Sequence, residues 1–204
     1  MSVIKMKDTK RVFLQITLPI KQLKYTFMNK TPFEDFDFFS FWDNNEYVQK
    51  YYVGATPTDE QVKDIESELG YKLPQSYIAL IKQCNGGKPV NTCFPTQTPT
   101  SWANNHIAIS GIMGIDKDKL YSLCGEMGNR FWIEEWEYPA IGVAICTTPS
   151  AGHDMIFLDY RECGLAGEPS VAHIDEDNDY KITTLAASFE EFIRGLVNSK
   201  DFES

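Results

Sequence analysis

Residues 56–87 read TPTDEQVKDIESELGYKLPQSYIALIKQCNGG, and almost every start and stop signal for two short helices is in place. Thr58 can cap the first helix, and Gln61 three residues on completes a capping box. Val62, Ile65 and Leu69 follow at i, i+3 and i+7, so one helical face is apolar. Gly70 supplies a left-handed stop. Pro74 stands where a first helical turn tolerates it. Tyr77, Leu80 and Ile81 form a second apolar stripe, and Asn85-Gly86-Gly87 ends it. The spacing predicts helices over 59–69 and 75–84. It names a scaffold rather than a reaction.

Outward from this core, a second block lies toward the C-terminus. Tyr138-Pro139 enters an apolar strand at 141–146, Gly152-His153-Asp154 leads into a strand at 155–160, and Glu168-Pro169 precedes one at 170–174. Tyr180–Thr184 is expected to pair back on Ser170–Ile174. Ser188 and Glu191 make another capping box, with Phe189, Phe192, Ile193 and Leu196 as the stripe of a last helix over 188–198. Between the blocks, Thr92–Asn105 is polar, with Pro95 and Pro99, and reads as a long loop. Ile107, Ile109, Gly111, Met113 and Ile115 alternate, which predicts a strand over 107–113 bulged at Gly111. Asp116 can cap a helical turn holding Leu120 and Leu123. Asn129–Glu137 reads as a helix with an Arg130–Glu134 ion pair and Trp132 and Trp136 on one face. Upstream, residues 33–53 are crowded with aromatics, with Asn44 or Asn45 placed to cap a lid helix carrying Tyr47, Val48 and Tyr51. Helices, then a meander of strands, then a helix predict an α+β fold: N-terminal helices, a central antiparallel or mixed sheet, and a C-terminal helix packed on the sheet.

These blocks, in this order, resemble the SUKH superfamily, which includes bacterial toxin-immunity proteins and relatives of yeast regulators of cell-wall glucan synthesis. The residues that carry the likeness are Leu73-Pro74-Gln75-Ser76-Tyr77 with Leu80, then Asn85-Gly86-Gly87, Tyr138-Pro139 with Ile141-Gly142, Gly152-His153-Asp154, Leu158-Asp159-Tyr160-Arg161, and Leu185-Ala186 with Phe189, Phe192 and Ile193. The likeness spans residues 33–198. It implies one SUKH-like domain over 31–200, a structural role for the turn at Gly152-His153-Asp154, and a sheet whose loops form a docking face.

Composition narrows the function classes. The chain has 204 residues, 43% hydrophobic and 24% charged, enough for one buried core and ordinary for a soluble globular protein. No uninterrupted apolar run approaches bilayer length, so no membrane role is expected. Five cysteines, widely spaced and without a CxxC, argue against a disulfide framework and for reduced thiols in a cytoplasm. Residues 1–30 hold seven Lys or Arg and one Asp, a net of +6, which leaves −16 of the total −10 for residues 31–204. An acidic body disfavours nucleic acid, whose phosphates need cations, and favours a basic protein partner. The basic segment is not expected to be a signal peptide, since Gln15, Thr17 and Pro19 break its apolar run and no small-residue cleavage site follows. Because the likeness begins after Met28, residues 1–27 read either as an added strand and arm or as sequence ahead of a start at Met28. They are expected to be dispensable for core stability.

No constellation makes a convincing catalytic or metal centre. His153, Asp154, Asp159, His173 and Asp175 are metal-ligand types, but their spacing fits no compact site. Asp175-Glu176-Asp177-Asn178-Asp179 mimics the start of a calcium loop, yet Tyr180 stands where that loop needs Gly and Ala186 where it needs Glu, so an acidic hairpin turn is expected. Glu134 and Glu135 beside Trp132 and Trp136 have the residue types of a glycosidase site, but adjacent helical positions diverge by about 100°. Cys146 and His153 could meet across a loop, although Cys146 ends an apolar strand, where a thiol is usually inert filling. No catalytic residue, metal or cofactor is therefore expected. The function expected is a non-enzymatic protein-binding module, an immunity protein against a basic toxin domain encoded by an adjacent gene; the alternative is a regulator or scaffold in cell-wall or polysaccharide synthesis. The predicted contact residues are Trp102 in the long loop, Glu134, Glu135 and Trp136, and the acidic turn Asp175, Glu176 and Asp177.

Overall fold

The computed structural model describes residues 31–202; the basic arm, 1–30, lies outside them. The chain order is α1 (Phe38–Phe41), β1 (Trp42–Asp43), α2 (Glu46–Tyr51), α3 (Asp59–Leu69), α4 (Gln75–Gln83), β2 (Lys88–Pro89), β3 (Cys93–Pro95), β4 (His106–Ala108), β5 (Gly111–Ile112), α5 (Asn129–Glu134), β6 (Gly142–Thr147), β7 (Asp154–Asp159), β8 (Ser170–Asp175), β9 (Lys181–Ala186) and α6 (Phe189–Arg194). The fold is α+β, with a five-stranded sheet in the order β5-β6-β7-β8-β9, every neighbouring pair antiparallel. Two small ribbons, β1-β2 and β3-β4, flank it.

The locally encoded helices form as their capping signals require. Thr58 and Gln61 make the reciprocal capping box of α3, and Gly70 closes it in the left-handed region at φ 76°. Tyr77, Leu80 and Ile81 of α4 are fully buried. The Tyr77 hydroxyl donates to the Met113 carbonyl at 2.6 Å, and its ring meets Phe189 of α6 edge-on at 5.2 Å. α6 packs against β8, β9 and α4. The central strands β6 and β7 are buried at every position, as strands covered on both faces must be. The aromatic segment is mostly packing: Phe33, Val48 and Tyr52 are buried, and Phe36, Phe38, Phe41 and Trp42 rest on the core, while Phe39 is 98% exposed.

Several expected boundaries move, each for a tertiary reason. Residues 107–113 do not form one bulged strand. They split into β4, which pairs with β3, and β5, which pairs with β6. The chain crosses between sheets at Ile109-Ser110, and Gly111 is required just after: a Cβ there would lie 2.4 Å from the Tyr52 ring. Asp116 caps no helix. Its carboxylate accepts from the Asp118 N–H, and its carbonyl accepts from the Lys119 N–H at 3.0 Å, which closes a single turn. α5 ends at Glu134 rather than 137, because Tyr138 turns inward to stack on Phe157 at 5.7 Å and donates its hydroxyl to the Gly152 carbonyl at 2.6 Å. α6 stops at Arg194 because Val197 leaves the helical path to exchange both backbone hydrogen bonds with Cys93.

Candidate functional site

Two turns leave the same end of the sheet, β6–β7 at residues 148–153 and β8–β9 at residues 176–180. The Glu176 N–H donates to the His153 carbonyl at 2.8 Å. The His153 Nδ1 lies 2.9 Å from Glu176 Oε2 and 3.4 Å from Asp177 Oδ1. The hydrogen bond to Glu176, with the Asp177 charge, raises the His153 pKa above its ordinary value. The acidic sequence 176–178 forms a 3-10 turn, not a cation loop, closed by Asp179 and Tyr180 at φ 57° and 54°. Asp takes that conformation at modest cost; for Tyr it is rarer and needs a tertiary hold. Here the Tyr180 hydroxyl donates to the Trp136 carbonyl at 2.6 Å.

That bond ties the acidic turn to the end of α5. The Trp136 ring sits 5.9 Å from the His153 imidazole and 5.5 Å from Trp132. Glu134, Glu135 and Glu137 are exposed around it, with Arg130 and Glu134 3.6 Å apart. The long loop arrives from the other side. The Ser101 N–H donates to Asp175 Oδ2 at 2.9 Å, and Lys181 Nζ approaches the Pro99 carbonyl at 3.5 Å. The neighbouring Trp102 is 39% exposed. The three segments singled out in the sequence therefore meet at one end of the sheet. Asp175 is the exception among the named contact residues: it is 1% exposed and anchors the loop from beneath, so it offers a partner no surface. Local sequence marked His153 and Tyr180 for other reasons and gave no signal that they join the segments, because their partners are distant in the chain.

Under this face lies a buried polar network. His173 Nε2 and Asp154 Oδ2 are 2.8 Å apart, and both residues are essentially inaccessible. Thr148 and Ser150 donate their hydroxyls to the same carboxylate, and the Asp154 N–H donates to Ser150 Oγ at 2.9 Å. Burial opposes the charged form of Asp154, but the hydrogen bonds from His173, Ser150 and Thr148 outweigh it and hold the pKa below the usual carboxylate range. The network pins the β6–β7 turn and hence His153.

The residues of metal-ligand type are dispersed. Asp154 and His173 satisfy each other, Asp159 holds Arg161 at 2.6 Å, and Asp175 holds the long loop. Among the described residues, His153, Glu176 and Asp177 are the group whose donor atoms converge closely enough to share a cation; the His153–Glu176 hydrogen bond already accounts for that convergence. Cys146 and His153 do not meet: Cys146 is fully buried, with its thiol pKa pushed up by burial, and His153 faces solvent. A cleft of about 580 Å³ opens between α2 and the β6–β7 turn, lined by Val48, Tyr52, Tyr121, Met127, Trp132 and Thr147 among others. The Tyr52 hydroxyl and Thr147 Oγ1 are 2.7 Å apart there, and burial pushes the phenol pKa up. Among the described residues, no histidine, cysteine or carboxylate lines this cleft to act as base or nucleophile.

The family model described as SMI1-KNR4 cell-wall, a SUKH family, matches residues 59–193, from the first residue of α3 into α6. The aromatic segment 33–53 falls outside that match. No curated protein matches the chain.

Proposed function

Since the chain belongs to the SMI1-KNR4 cell-wall family of the SUKH superfamily, we propose that it is a non-enzymatic protein-binding module, an immunity protein that neutralises a bacterial toxin in the cytoplasm. The observation that supports this reading is that two segments bearing indoles, the end of α5 with Trp136, Glu134 and Glu135 and the long loop with Trp102, are both tied to the acidic turn that carries Glu176 and Asp177. Interfaces place their energy in a few desolvated aromatic or Arg anchors, and rim charges steer the encounter. The half-buried Trp136 is the anchor, and its backbone is already fixed by Tyr180. The carboxylates suit a toxin domain with a basic surface, and the body's charge of −16 adds long-range attraction. Five free cysteines fit a reducing compartment, and no helix among the described residues is long and apolar enough to cross a membrane.

The test is titration of the purified chain with the product of the adjacent gene, at low and high salt. A tight complex whose association slows steeply with salt supports the reading. No complex, with that neighbour shown to be a toxin, overturns it in favour of the second reading. That reading, a regulator or scaffold in cell-wall or polysaccharide synthesis, draws on the cell-wall description of the matched family.

A further inference from the structure

The chain has three histidines. His173 is fully buried against Asp154, and His106 stacks on Phe202 at 4.0 Å with its Nδ1 2.9 Å from Asn105 Oδ1. His153 differs from both. It is half-exposed, and two carboxylates of the β8–β9 turn face one of its ring nitrogens: Nδ1 is 2.9 Å from Glu176 Oε2 and 3.4 Å from Asp177 Oδ1. The hydrogen bond to Glu176 sets the first distance. Asp177 stands at the second without a hydrogen bond to the ring. Donors that share one first-row ion at 2.0–2.2 Å lie about 2.9–3.5 Å apart at octahedral or tetrahedral angles. Both spacings fall in that range, and the three donor atoms all lie within 4.8 Å of one another.

We propose that His153, Glu176 and Asp177 form a binding site for a divalent first-row transition ion, with one imidazole and two carboxylates as protein ligands and water in the remaining positions. The ion takes the Nδ1 lone pair and one oxygen of each carboxylate, and any proton on Nδ1 passes to solvent. The imidazole decides the class. Nitrogen suits nickel, cobalt, copper or zinc, whereas calcium and magnesium take oxygen donors. The inference concerns the chain alone, so its failure leaves the docking reading standing.

The fold holds these donors in place from both sides. The turn that carries His153 is fixed by the buried Asp154 carboxylate, which accepts from Thr148 and Ser150. The turn that carries Glu176 and Asp177 is fixed at its start by buried Asp175, which accepts from the Ser101 N–H, and at its end by the Tyr180 hydroxyl on the Trp136 carbonyl. The two turns are joined directly, since the Glu176 N–H donates to the His153 carbonyl at 2.8 Å. Little freedom is left for an ion to remove. Charge works in the same direction: Asp179 follows in the same turn, and the −16 of the body raises the local concentration of cations.

The test is calorimetric titration of the full chain with Ni²⁺ alone, with the site located by NMR. Paramagnetic broadening should centre on His153 and residues 176–178 and reach the Trp136 indole, whose ring lies 5.9 Å from the imidazole. His153→Ala, and separately the double substitution Glu176→Gln and Asp177→Asn, should each weaken binding at least about tenfold, since even the outer supports of a metal site are worth that much. Tyr180→Phe keeps all three ligands and removes only the hold on the Trp136 carbonyl, so it should weaken binding less. Ca²⁺ at the same concentration should not displace Ni²⁺. Equal Ni²⁺ affinity in the unaltered and His153→Ala proteins overturns the proposal, as does broadening centred on His106 or on a cysteine. Affinity that needs His153 but survives loss of both carboxylates also overturns it, because it assigns the ion to a lone imidazole.

Discussion

Replacing Asp154 with Ala perturbs stability and the proposed docking face at once, and the size of the effect follows from the geometry. Asp154 is 1% exposed and holds His173 at 2.8 Å together with the hydroxyls of Thr148 and Ser150. The substitution leaves His173 fully buried with no partner on Nε2, and its Nδ1 already has none. Leaving a buried donor or acceptor unsatisfied costs about 1–3 kcal/mol, and losing a hydrogen bond to a charged group about 1.5–3 kcal/mol. Two hydroxyl–carboxylate bonds are lost as well, but hydroxyls rotate to other acceptors, and the Asp154 carbonyl remains 2.7 Å from Thr148 Oγ1. We therefore expect a loss of about 3–4 kcal/mol in urea denaturation at pH 7, a large share of the roughly 5–15 kcal/mol typical of a domain. Asp154→Asn, which keeps shape and one acceptor, should lose about 1–2 kcal/mol. Because the folded pKa of Asp154 lies below its unfolded value, its contribution is fully present above about pH 4 and is lost as pH falls through the folded value. The gap between the two proteins should thus narrow on acidification. A loss below about 1 kcal/mol at pH 7, or a gap that does not change between neutral and acid pH, would refute the assignment of this pair as a structural clamp.

Three further outcomes are expected. The His153 pKa, followed by NMR, should lie above 6.5 and should fall toward that value in Glu176→Gln, whose neutral amide weakens the hydrogen bond that favours the imidazolium. Trp136→Ala should weaken binding of the protein partner by about 2 kcal/mol or more, chiefly through faster dissociation, whereas Glu135→Gln should mainly slow association; calorimetry and stopped-flow mixing separate the two. Gly70→Ala should cost about 1 kcal/mol in thermal or urea unfolding, because the left-handed φ of 76° penalises a Cβ while no neighbouring atom obstructs it.

What the sequence determined alone is what neighbours in the chain can enforce. α3 and α4 were legible to within a residue because caps, turn glycines and apolar spacing act over three or four positions, as the Thr58–Gln61 box and Gly70 do. The sheet strands β6, β7 and β8 announced themselves as apolar runs between turns, and the ordered motifs sufficed to place the family. Only the tertiary structure decided where distant segments meet. It divided 107–113 between two sheets, because His106–Ala108 pairs with Cys93–Pro95 while Gly111-Ile112 pairs with Cys146-Thr147. It shortened α6, because backbone groups of Val197 found Cys93. It buried Asp175 while leaving Asp177 exposed two residues later. It also joined Trp136, His153, Glu176 and Tyr180 through hydrogen bonds spanning 23 and 44 positions of sequence and a ring contact between Trp136 and His153. Such contacts exist only after the core has brought the β6–β7 and β8–β9 turns to the same end of the sheet, and no pattern local to either turn encodes the other.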